Sequence, residues 1–259
     1  LSAVDDAATR PIIDKAVAFL KSNQWDEDDD ISVDDPKYGG AGYGFRKRPD
    51  LSNTQIMLDA LADSGLPKDD PAYKKALVFI ERCQMRGESN DQAFAKGSSQ
   101  GGFIYTAADG GSSKAGTIDI SGHSELRSYG SMTYAGLKSM IYAGLDRNDP
   151  RVQAAIEWVK NNWSLNHNAN MPPAQAKEGI YYYYMTLARA LAAYGQDVIR
   201  ETNGNNHHWR LELLEKLAEK QRDDGSWVND ADRWMEGIPE LATAYSLISL
   251  HAIAGSQTK

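Results

Sequence analysis

The stretch "QRDDGSW", residues 221–227, decides the fold, because it ends a helical segment with a glutamine and then places a glycine and a tryptophan after it. Two other helical segments also end in glutamine, at Gln24 and Gln84. Loops of glycine and aromatic residues follow the helical segments, with the sequences "GGAGYGF", "GGFIY", "GIYYYY" and "DGSWV". Glycine breaks a helix, and an aromatic side chain can pack back on the helix end. The pattern predicts a repeated unit.

The first half of each unit is an amphipathic helix. Its copies read "PIIDKAVAFLKSNQ", "PAYKKALVFIERCQ", "PRVQAAIEWVKNNW" and "WRLELLEKLAEKQ". The first three copies superpose an alanine and an aromatic residue, at Ala16, Ala76 and Ala155 and at Phe19, Phe79 and Trp158. This spacing leaves one apolar stripe on each helix.

The second half of each unit is a more apolar helix that follows the loop. A threonine recurs near its start, at Thr54, Thr133, Thr186 and Thr243. These helices carry few charges, as expected of helices surrounded by protein, whereas the first helices carry Lys, Glu and Arg on one face. We therefore predict an all-α fold of four helix pairs, with an inner and an outer ring that form an arc or a closed barrel.

Composition excludes several classes of function. The chain has 259 residues and a net charge of −8, so it offers no basic surface for nucleic acid. No apolar stretch approaches the roughly 20 residues of a membrane span, so we expect a soluble chain that does not cross a membrane. Cys83 is the single cysteine, which excludes an internal disulfide and a multi-thiolate metal site. The chain begins at Leu1, which fits either a trimmed chain or an exported protein after removal of a signal peptide.

The stretch 221–227 resembles the Gln-x-x-x-Gly-x-Trp repeat of squalene-hopene and related triterpene cyclases. The helix pairs with their loops are similar to the prenyltransferase and squalene oxidase repeat. The segments "RPDLSNTQIMLDAL", "YGSMTYAGLKSMIYAGL" and "DRWMEGIPELATAYSLISL" further resemble single-domain bacterial squalene-cyclase-like proteins. This resemblance runs from Pro11 to Gly255. It implies one α/α toroid domain over residues 1–259 with a central cavity, in which Gln221, Gly225 and Trp227 tie helices together and do not catalyse.

The sequence matches the reactive groups of these families poorly. The motif "DEDD", residues 26–29, fits the Asp-x-Asp-Asp acid motif of the cyclases, and Asp28 is its middle acid. It lies in a run of five acids after the first helix, where we expect a charged surface loop. A calcium loop is a second reading, but the glycine and glutamate that it needs are missing. Prenyltransferase zinc ligands and the thioester motif are absent from the sequence, so we expect no metal and no cofactor.

The candidate ligand site lies at the starts of the inner helices. Its residues are Asp50, Asn53, Gln55, Arg127, Tyr129, Tyr134, Tyr182, Tyr183, Arg233, Trp234 and Glu236. Helix N-termini present unpaired N–H groups, so several of them at one opening can hold an anionic or carbonyl ligand among aromatic rings. The alternative reading is that these residues are caps and core. Glu236 beside Arg233 is the pair that we single out, since a buried acid is costly unless paired.

Three functions follow as alternatives. The first is a non-catalytic domain that binds an apolar or isoprenoid-like molecule, or a protein segment. The second is an enzyme that acts on a terpenoid or other lipid through Glu236, Asp50 or Asp28, and the third is a polysaccharide-active α/α barrel. An enclosed apolar cavity of several hundred Å³ favours lipid, and a shallow polar cleft favours sugar or peptide. Residues 87–125 are expected to form a surface lid or mobile loop. Whether a second copy completes the ring stays open.

Overall fold

The computed structural model describes residues 8–44 and 47–255, so Phe45 in the first loop lies outside them. Its helices are α1 (Arg10–Ser22), α2 (Leu51–Asp63), α3 (Pro71–Cys83), α4 (Gly130–Tyr142), α5 (Pro150–Asn161), α6 (Ile180–Tyr194), α7 (Trp209–Lys220) and α8 (Pro239–Ala254). Two antiparallel hairpins pair β1 (Thr117–Ile120) with β2 (His123–Leu126) and β3 (Val198–Arg200) with β4 (Asn206–His208). The described chain is thus mostly helical, and its two short hairpins are a departure from the all-α prediction. None of its helices is both long and apolar enough to cross a bilayer.

Two of the odd-numbered helices begin at an aspartate followed by a proline. The Asp70 carboxylate accepts the N–H of Ala72 at 2.9 Å, and the Asp149 carboxylate accepts the N–H of Arg151 at 2.9 Å. Proline suits the first helical position because its missing N–H has no intrahelical partner there. Aspartate satisfies the next free N–H group, so the sequence "DP" fixes where α3 and α5 begin.

The even-numbered helices pack in chain order. Helix α4 contacts α2 and α6, and α6 contacts α8. The odd-numbered helices pack on them: α1 and α3 on α2, α3 and α5 on α4, and α7 on α8. The threonines at positions 54, 133 and 186 are fully buried in this packing. The predicted pairing of an amphipathic helix with the apolar helix that follows it is therefore seen for α1 with α2, α3 with α4 and α7 with α8, whereas α5 packs on the preceding α4.

The repeated glutamine connects the first helix pair to the second and the second to the third. Gln24 donates its side-chain N–H groups to the carbonyls of Gly39 at 2.9 Å and Ala72 at 3.0 Å. Gln84 repeats both contacts in the second pair, with the carbonyls of Gly101 at 2.8 Å and Arg151 at 2.9 Å. One acceptor lies in the pair's own loop, and the other lies in the first turn of the next odd-numbered helix. The side chain therefore bridges two neighbouring units.

In three loops a glycine carbonyl accepts a hydrogen bond from the repeated glutamine, and this glycine has a φ near +80°. The three are Gly39, Gly101 and Gly225. Only glycine adopts this region without strain. A Cβ atom at Gly39 would also lie 1.7 Å from the carbonyl oxygen of Lys75, and one at Gly101 would lie 2.6 Å from that of Ala154. The first loop thus lies directly on the backbone of α3 and the second on that of α5, which explains why glycine recurs at these positions.

The repeated threonine holds the other end of each loop. Its hydroxyl accepts a loop N–H, from Ala41 to Thr54 at 2.9 Å, from Phe103 to Thr133 at 3.1 Å and from Trp227 to Thr243 at 3.1 Å. Trp227 also donates its indole N–H to the carbonyl of Leu217 at 2.8 Å. The indole is buried on α7, so its observed contacts are structural.

The third pair departs from the expected pattern. The stretch "GIYYYY" is not a loop, because Ile180 to Tyr184 form the first turns of α6 after Gly179, whose φ is +68°. The glutamine position holds Trp163, which stacks on His207 with ring centroids 4.9 Å apart. Thr186 accordingly has no loop N–H to accept and donates to the carbonyl of Tyr183 at 3.0 Å. The connection of this pair is the segment 162–179.

Candidate functional site

A cavity of about 500 Å³ opens beside the N-terminal ends of α2, α4 and α6. Six aromatic side chains line it: Tyr43, Tyr105, Tyr129, Tyr182, Trp234 and Tyr245. Ile56, Met132, Met171 and Met235 add further apolar surface, and Ser52, Asn53, Ser131, Asn168, Lys114 and Glu178 add polar groups. This volume and this mixture are typical of sites for small ligands. These residues leave an open cavity, and they do not form the filled interior that would indicate a scaffold.

Tyr182 stands in the cavity wall between two helices. Its ring meets that of Tyr245 edge to face, with centroids 5.8 Å apart. Its hydroxyl is hydrogen-bonded to the Ser52 hydroxyl at 2.8 Å and accepts the side-chain N–H of Gln55 at 3.2 Å. Burial raises the pKa of Tyr182, so the phenol stays neutral. Tyr182 therefore contributes an apolar ring to the wall, and its one polar side-chain atom is already satisfied.

Lys114 lies between two of the aromatic rings. Its Nζ atom is 4.4 Å from the ring centroid of Tyr105 and 5.4 Å from that of Trp234. No carboxylate of the described residues forms an ion pair with it. Burial lowers the pKa of Lys114 and the positive charges of Arg48 and Arg233 lower it further, whereas the carboxylate of Asp50 partly opposes this shift. Positive charge thus accumulates at this edge of the cavity, where an anionic group would be stabilised.

Four of the predicted site residues line the cavity, namely Asn53, Tyr129, Tyr182 and Trp234. Asp50 lies directly behind the lining as the N-cap of α2, where its carboxylate accepts the N–H of Asn53 at 2.9 Å. Burial raises the pKa of Asp50, against hydrogen bonds from Asn53 and Tyr105. Its lone pairs are used for capping and for holding the cavity wall.

Other predicted residues lie away from the cavity. Tyr134 and Tyr183 are buried and pack edge to face at 5.7 Å, and the Tyr183 hydroxyl donates to the carbonyl of Ser164 at 2.7 Å. Arg127 follows the first hairpin and donates to the carbonyl of Thr117 at 3.2 Å. These side chains support the surrounding fold, which agrees with the reading of caps and core.

Glu236 is fully buried and caps α6 from a distant loop. Its carboxylate accepts the N–H of Tyr182 at 2.7 Å and the side-chain N–H of Asn229 at 2.8 Å. Burial raises the pKa of Glu236, and these hydrogen bonds oppose that shift. The expected pair with Arg233 is not formed; that guanidinium lies over the Trp234 ring, 4.6 Å from its centroid. Helix α6 lacks a side-chain cap of its own, so Glu236 supplies it.

The loop that carries Glu236 also presents Trp234 to the cavity. Trp234 and Met235 have φ values of +64° and +67°, a region that is strained for residues with a Cβ atom. The strain places two large apolar side chains in the lining, with 43% of Trp234 and 64% of Met235 exposed. Strained backbone of this kind often marks a binding site.

The acidic run lies outside the cavity, in a 3₁₀ turn at Glu27–Asp29. Lys75 of α3 pairs with Asp26 at 2.9 Å and with Glu27 at 2.7 Å. Hydrogen bonds from Lys75 and Tyr38 lower the pKa of Glu27 to about 2. Asp28 is exposed on this turn. The run therefore forms the charged surface loop that the sequence predicts.

A buried polar cluster below the cavity was not predicted. Lys138 of α4 donates to Asp59 of α2 at 2.6 Å and to Gln55, and Arg189 of α6 pairs with Asp59 at 2.9 Å. Burial lowers the pKa of Lys138 to about 8. Gln55 connects this cluster to the hydroxyl of Tyr182. The sequence did contain a signal for this cluster, because Asp59 and Lys138 each stand five residues after the repeated threonine in helices that are otherwise mainly apolar.

The same register could also have identified Ser131 and Met132, which occupy in α4 the positions of Ser52 and Asn53 in α2. Tyr43 and Tyr105 each stand four residues after a repeated loop glycine, Gly39 or Gly101, so the loop pattern could have identified them as well. Lys114 carries no such signal. Tyr105 and Lys114 belong to the segment 87–125, which contains the first hairpin and forms one wall of the cavity.

The arrangement supports binding more directly than chemistry. The carboxylates of Asp50 and Glu236 accept backbone N–H groups at the starts of helices. Within residues 8–44 and 47–255, no group of three His, Cys, Asp or Glu side chains is placed to hold a metal. A scan against protein-family models finds no model that matches this chain, and a search of curated proteins finds none that matches it. The case for a function therefore rests on the cavity and its contacts.

Proposed function

We propose that this protein binds an amphiphile whose apolar body lies in the aromatic cavity and whose anionic group lies against Lys114. The observation that carries the proposal is a cation between Tyr105 and Trp234, without an ion-pair partner in the described chain, at the edge of an apolar cavity of about 500 Å³. Isoprenoid phosphates and fatty acids have this combination of tail and charge. The proposal keeps the isoprenoid-like ligand expected from the sequence and adds the charge of its head group.

We also propose that the four helix pairs form an open arc of the α/α toroid type. The serial packing of α2, α4, α6 and α8, with odd-numbered helices against them, supports this arrangement. The recurring link from Gln24 and Gln84 to the next odd-numbered helix supports it as well. In such an arc the N-terminal ends of the even-numbered helices share one opening. The cavity beside α2, α4 and α6 is then the central cavity that the cyclase resemblance implies.

The contacts favour binding over the two alternatives. An enzyme that relies on Glu236 or Asp50 would need a carboxylate free to exchange a proton with its substrate, and both are committed to helix caps. A sugar-active cleft needs open aromatic faces. Here Tyr182 and Tyr245 meet edge to face, and Arg233 lies over the ring of Trp234.

Calorimetric titration with two matched probes tests the binding proposal. Farnesyl diphosphate carries the tail and the charge, and farnesol carries the same tail without charge. We expect Lys114→Ala to weaken the binding of farnesyl diphosphate by about tenfold to a hundredfold, since a charge-assisted contact contributes about 1.5–3 kcal/mol, and to leave farnesol unchanged. Trp234→Ala should weaken both probes because it removes apolar surface.

Lys96→Ala is the control for charge, because Lys96 is exposed in the same segment and does not line the cavity. Failure of both probes to bind would contradict the proposed function. Equal weakening by Lys96→Ala and Lys114→Ala would show that the head group responds to net charge and not to the cavity. Conversion of either probe, followed by mass spectrometry, would favour the enzyme alternative.

A further inference from the structure

Two serines stand at the same position near the starts of α2 and α4. Ser52 and Ser131 each precede the repeated threonine by two residues. Both line the cavity, where Ser52 is half-buried and Ser131 is only 3% exposed. A serine hydroxyl carries one hydrogen to donate, and its oxygen can accept. The groups around each serine therefore decide which of these two capacities remains for a ligand.

The groups around Ser52 fix the direction of its hydrogen bond. The Lys138 ammonium can only donate, so the Gln55 amide turns its oxygen to Lys138 and its NH₂ group to Tyr182. That NH₂ group also only donates, so the Tyr182 hydroxyl oxygen accepts from it at 3.2 Å. The phenol hydrogen is then left to donate, and its partner is the Ser52 oxygen at 2.8 Å. Ser52 is thus an acceptor within the protein.

The neighbour of Ser131 has the same effect. The backbone N–H of Ser131 donates to the side-chain oxygen of Asn168 at 3.0 Å. The other group of that amide is NH₂, which donates to the Ser131 hydroxyl oxygen at 3.2 Å. An amide NH₂ group does not accept, so Ser131 is likewise an acceptor within the protein. Two different partners, a tyrosine of α6 and an asparagine of the segment 162–179, therefore leave the two serines in the same state.

Each serine hydroxyl keeps an unused hydrogen. A serine in a helix can donate to the carbonyl of the preceding turn, as Ser246 does to Ala242 at 2.9 Å. Ser52 and Ser131 form no such bond, and neither hydroxyl has another acceptor within residues 8–44 and 47–255. Leaving a buried donor without an acceptor costs free energy. Both hydrogens are therefore available to an acceptor atom in the cavity that the two serines line.

We propose that Ser52 and Ser131 donate hydrogen bonds to acceptor oxygens of the ligand. This inference rests on the proposed function, and it narrows the ligand to an amphiphile that carries a carbonyl or ether oxygen in its apolar body, in addition to its anionic group. A carbonyl or ether oxygen can only accept, so it complements hydroxyls that have only a hydrogen left to give. A plain hydrocarbon tail would leave both hydrogens without a partner.

Calorimetric titration with matched fatty acids tests this inference at neutral pH, where Lys138 carries its proton. The parent probe is hexadecanoic acid, and its derivatives carry a ketone near the carboxylate, at mid-chain or near the methyl end. We expect at least one ketone to bind more tightly than the parent acid by about twofold to tenfold, the range for one neutral hydrogen bond. Ser52→Ala and Ser131→Ala together should abolish this preference and leave the affinity for the parent acid unchanged.

A substitution that keeps both serines tests the direction of the hydrogen bonds. In Gln55→Glu a carboxylate replaces the amide, and an ionised carboxylate can only accept. Tyr182 would then donate to this carboxylate, Ser52 would donate to Tyr182, and the Ser52 hydrogen would no longer be available to the ligand. The added charge lies against Lys138, so it is paired. We expect Gln55→Glu to weaken the preference for the ketone as much as Ser52→Ala does, with the affinity for the parent acid unchanged.

Ser139→Ala is the matched control, because Ser139 is a buried serine of α4 that does not line the cavity. It should change neither the affinity for the parent acid nor the preference for a ketone. If the parent acid binds but no ketone binds more tightly, the inference is overturned and the proposed function stands. A preference that survives in the double serine variant would overturn the inference in the same way. Failure of every probe to bind, farnesyl diphosphate included, would contradict the proposed function and this inference with it.

Discussion

Two lysines mark two regions with opposite electrostatics. Lys138 lies among α2, α4 and α6, where it is fully buried and donates to Asp59 at 2.6 Å. Lys114 lies at the edge of the cavity, between two aromatic rings and with no ion pair in the described chain. Burial lowers the pKa of both amines. The difference is that the interior cation has an ion-pair partner within the protein, whereas the cavity cation has none among the described residues, and the proposed anionic ligand rests on that difference.

The largest effect should come from breaking the balance in the interior. Asp59→Ala leaves Lys138 and Arg189 without their shared carboxylate, and removing one partner of a buried ion pair typically costs about 3–5 kcal/mol. We expect a loss of that size in the free energy of unfolding, measured with urea. Asp63→Ala is the control, because its side chain is 58% exposed and lies 3.8 Å from Arg189, and it should cost under about 1 kcal/mol. Equal losses from the two variants would show that the cluster does not depend on Asp59.

The pH dependence of the free energy of unfolding should test the same buried cluster, with a smaller expected effect. The pKa of Lys138 is about 8 in the folded protein, against an ordinary value of 10.5. Between these values the unfolded chain binds more protons than the folded protein, so the free energy of unfolding should rise with pH. From pH 8 to pH 9.5 the rise attributable to Lys138 is about 1.5 kcal/mol. Lys138→Met should lack this rise, and a parallel pH dependence in the variant and the wild type would contradict the assignment.

The smallest effect should come from the cavity lysine. Lys114→Ala removes a partly buried charge that forms no ion pair among the described residues, so we expect a change in the free energy of unfolding within about 0.5 kcal/mol. The measurement is the same urea titration as for Asp59→Ala. A loss of more than 1 kcal/mol would mean that Lys114 supports the fold, and the comparison of the two lysines would then fail.

The helical elements could be predicted from the sequence because the repeats contain residues that mark where a helix starts or ends and where its loop is attached. The Asp-Pro starts of α3 and α5, the glutamines at positions 24, 84 and 221, and the repeated threonine all have direct structural roles. The third pair was predicted less well, because Trp163 replaces the glutamine and the tyrosine run continues into α6. The arrangement of the helix pairs as an arc or a closed barrel stays a prediction.

The site was predictable only where it follows the repeat. Tyr129, Tyr182 and Asn53 stand near the threonine positions, so counting along the helices reaches them. Lys114 comes from a part of the chain that no other unit repeats, and its position depends on how that segment folds over the helix ends. The role of Glu236 was hidden for a related reason, since its partners on α6 are distant in sequence.

The paired anchors of each loop have a consequence for insertions and for engineering. The glutamine fixes a glycine at one point, and the threonine fixes an N–H just after it, whatever number of residues lies between the helix end and that glycine. That number already differs widely, from residues 25–38 in the first loop to residues 222–224 in the fourth. A foreign peptide grafted between Gln221 and Gly225 would thus leave both attachment points in place, and this short loop offers a site for display on an otherwise unchanged scaffold.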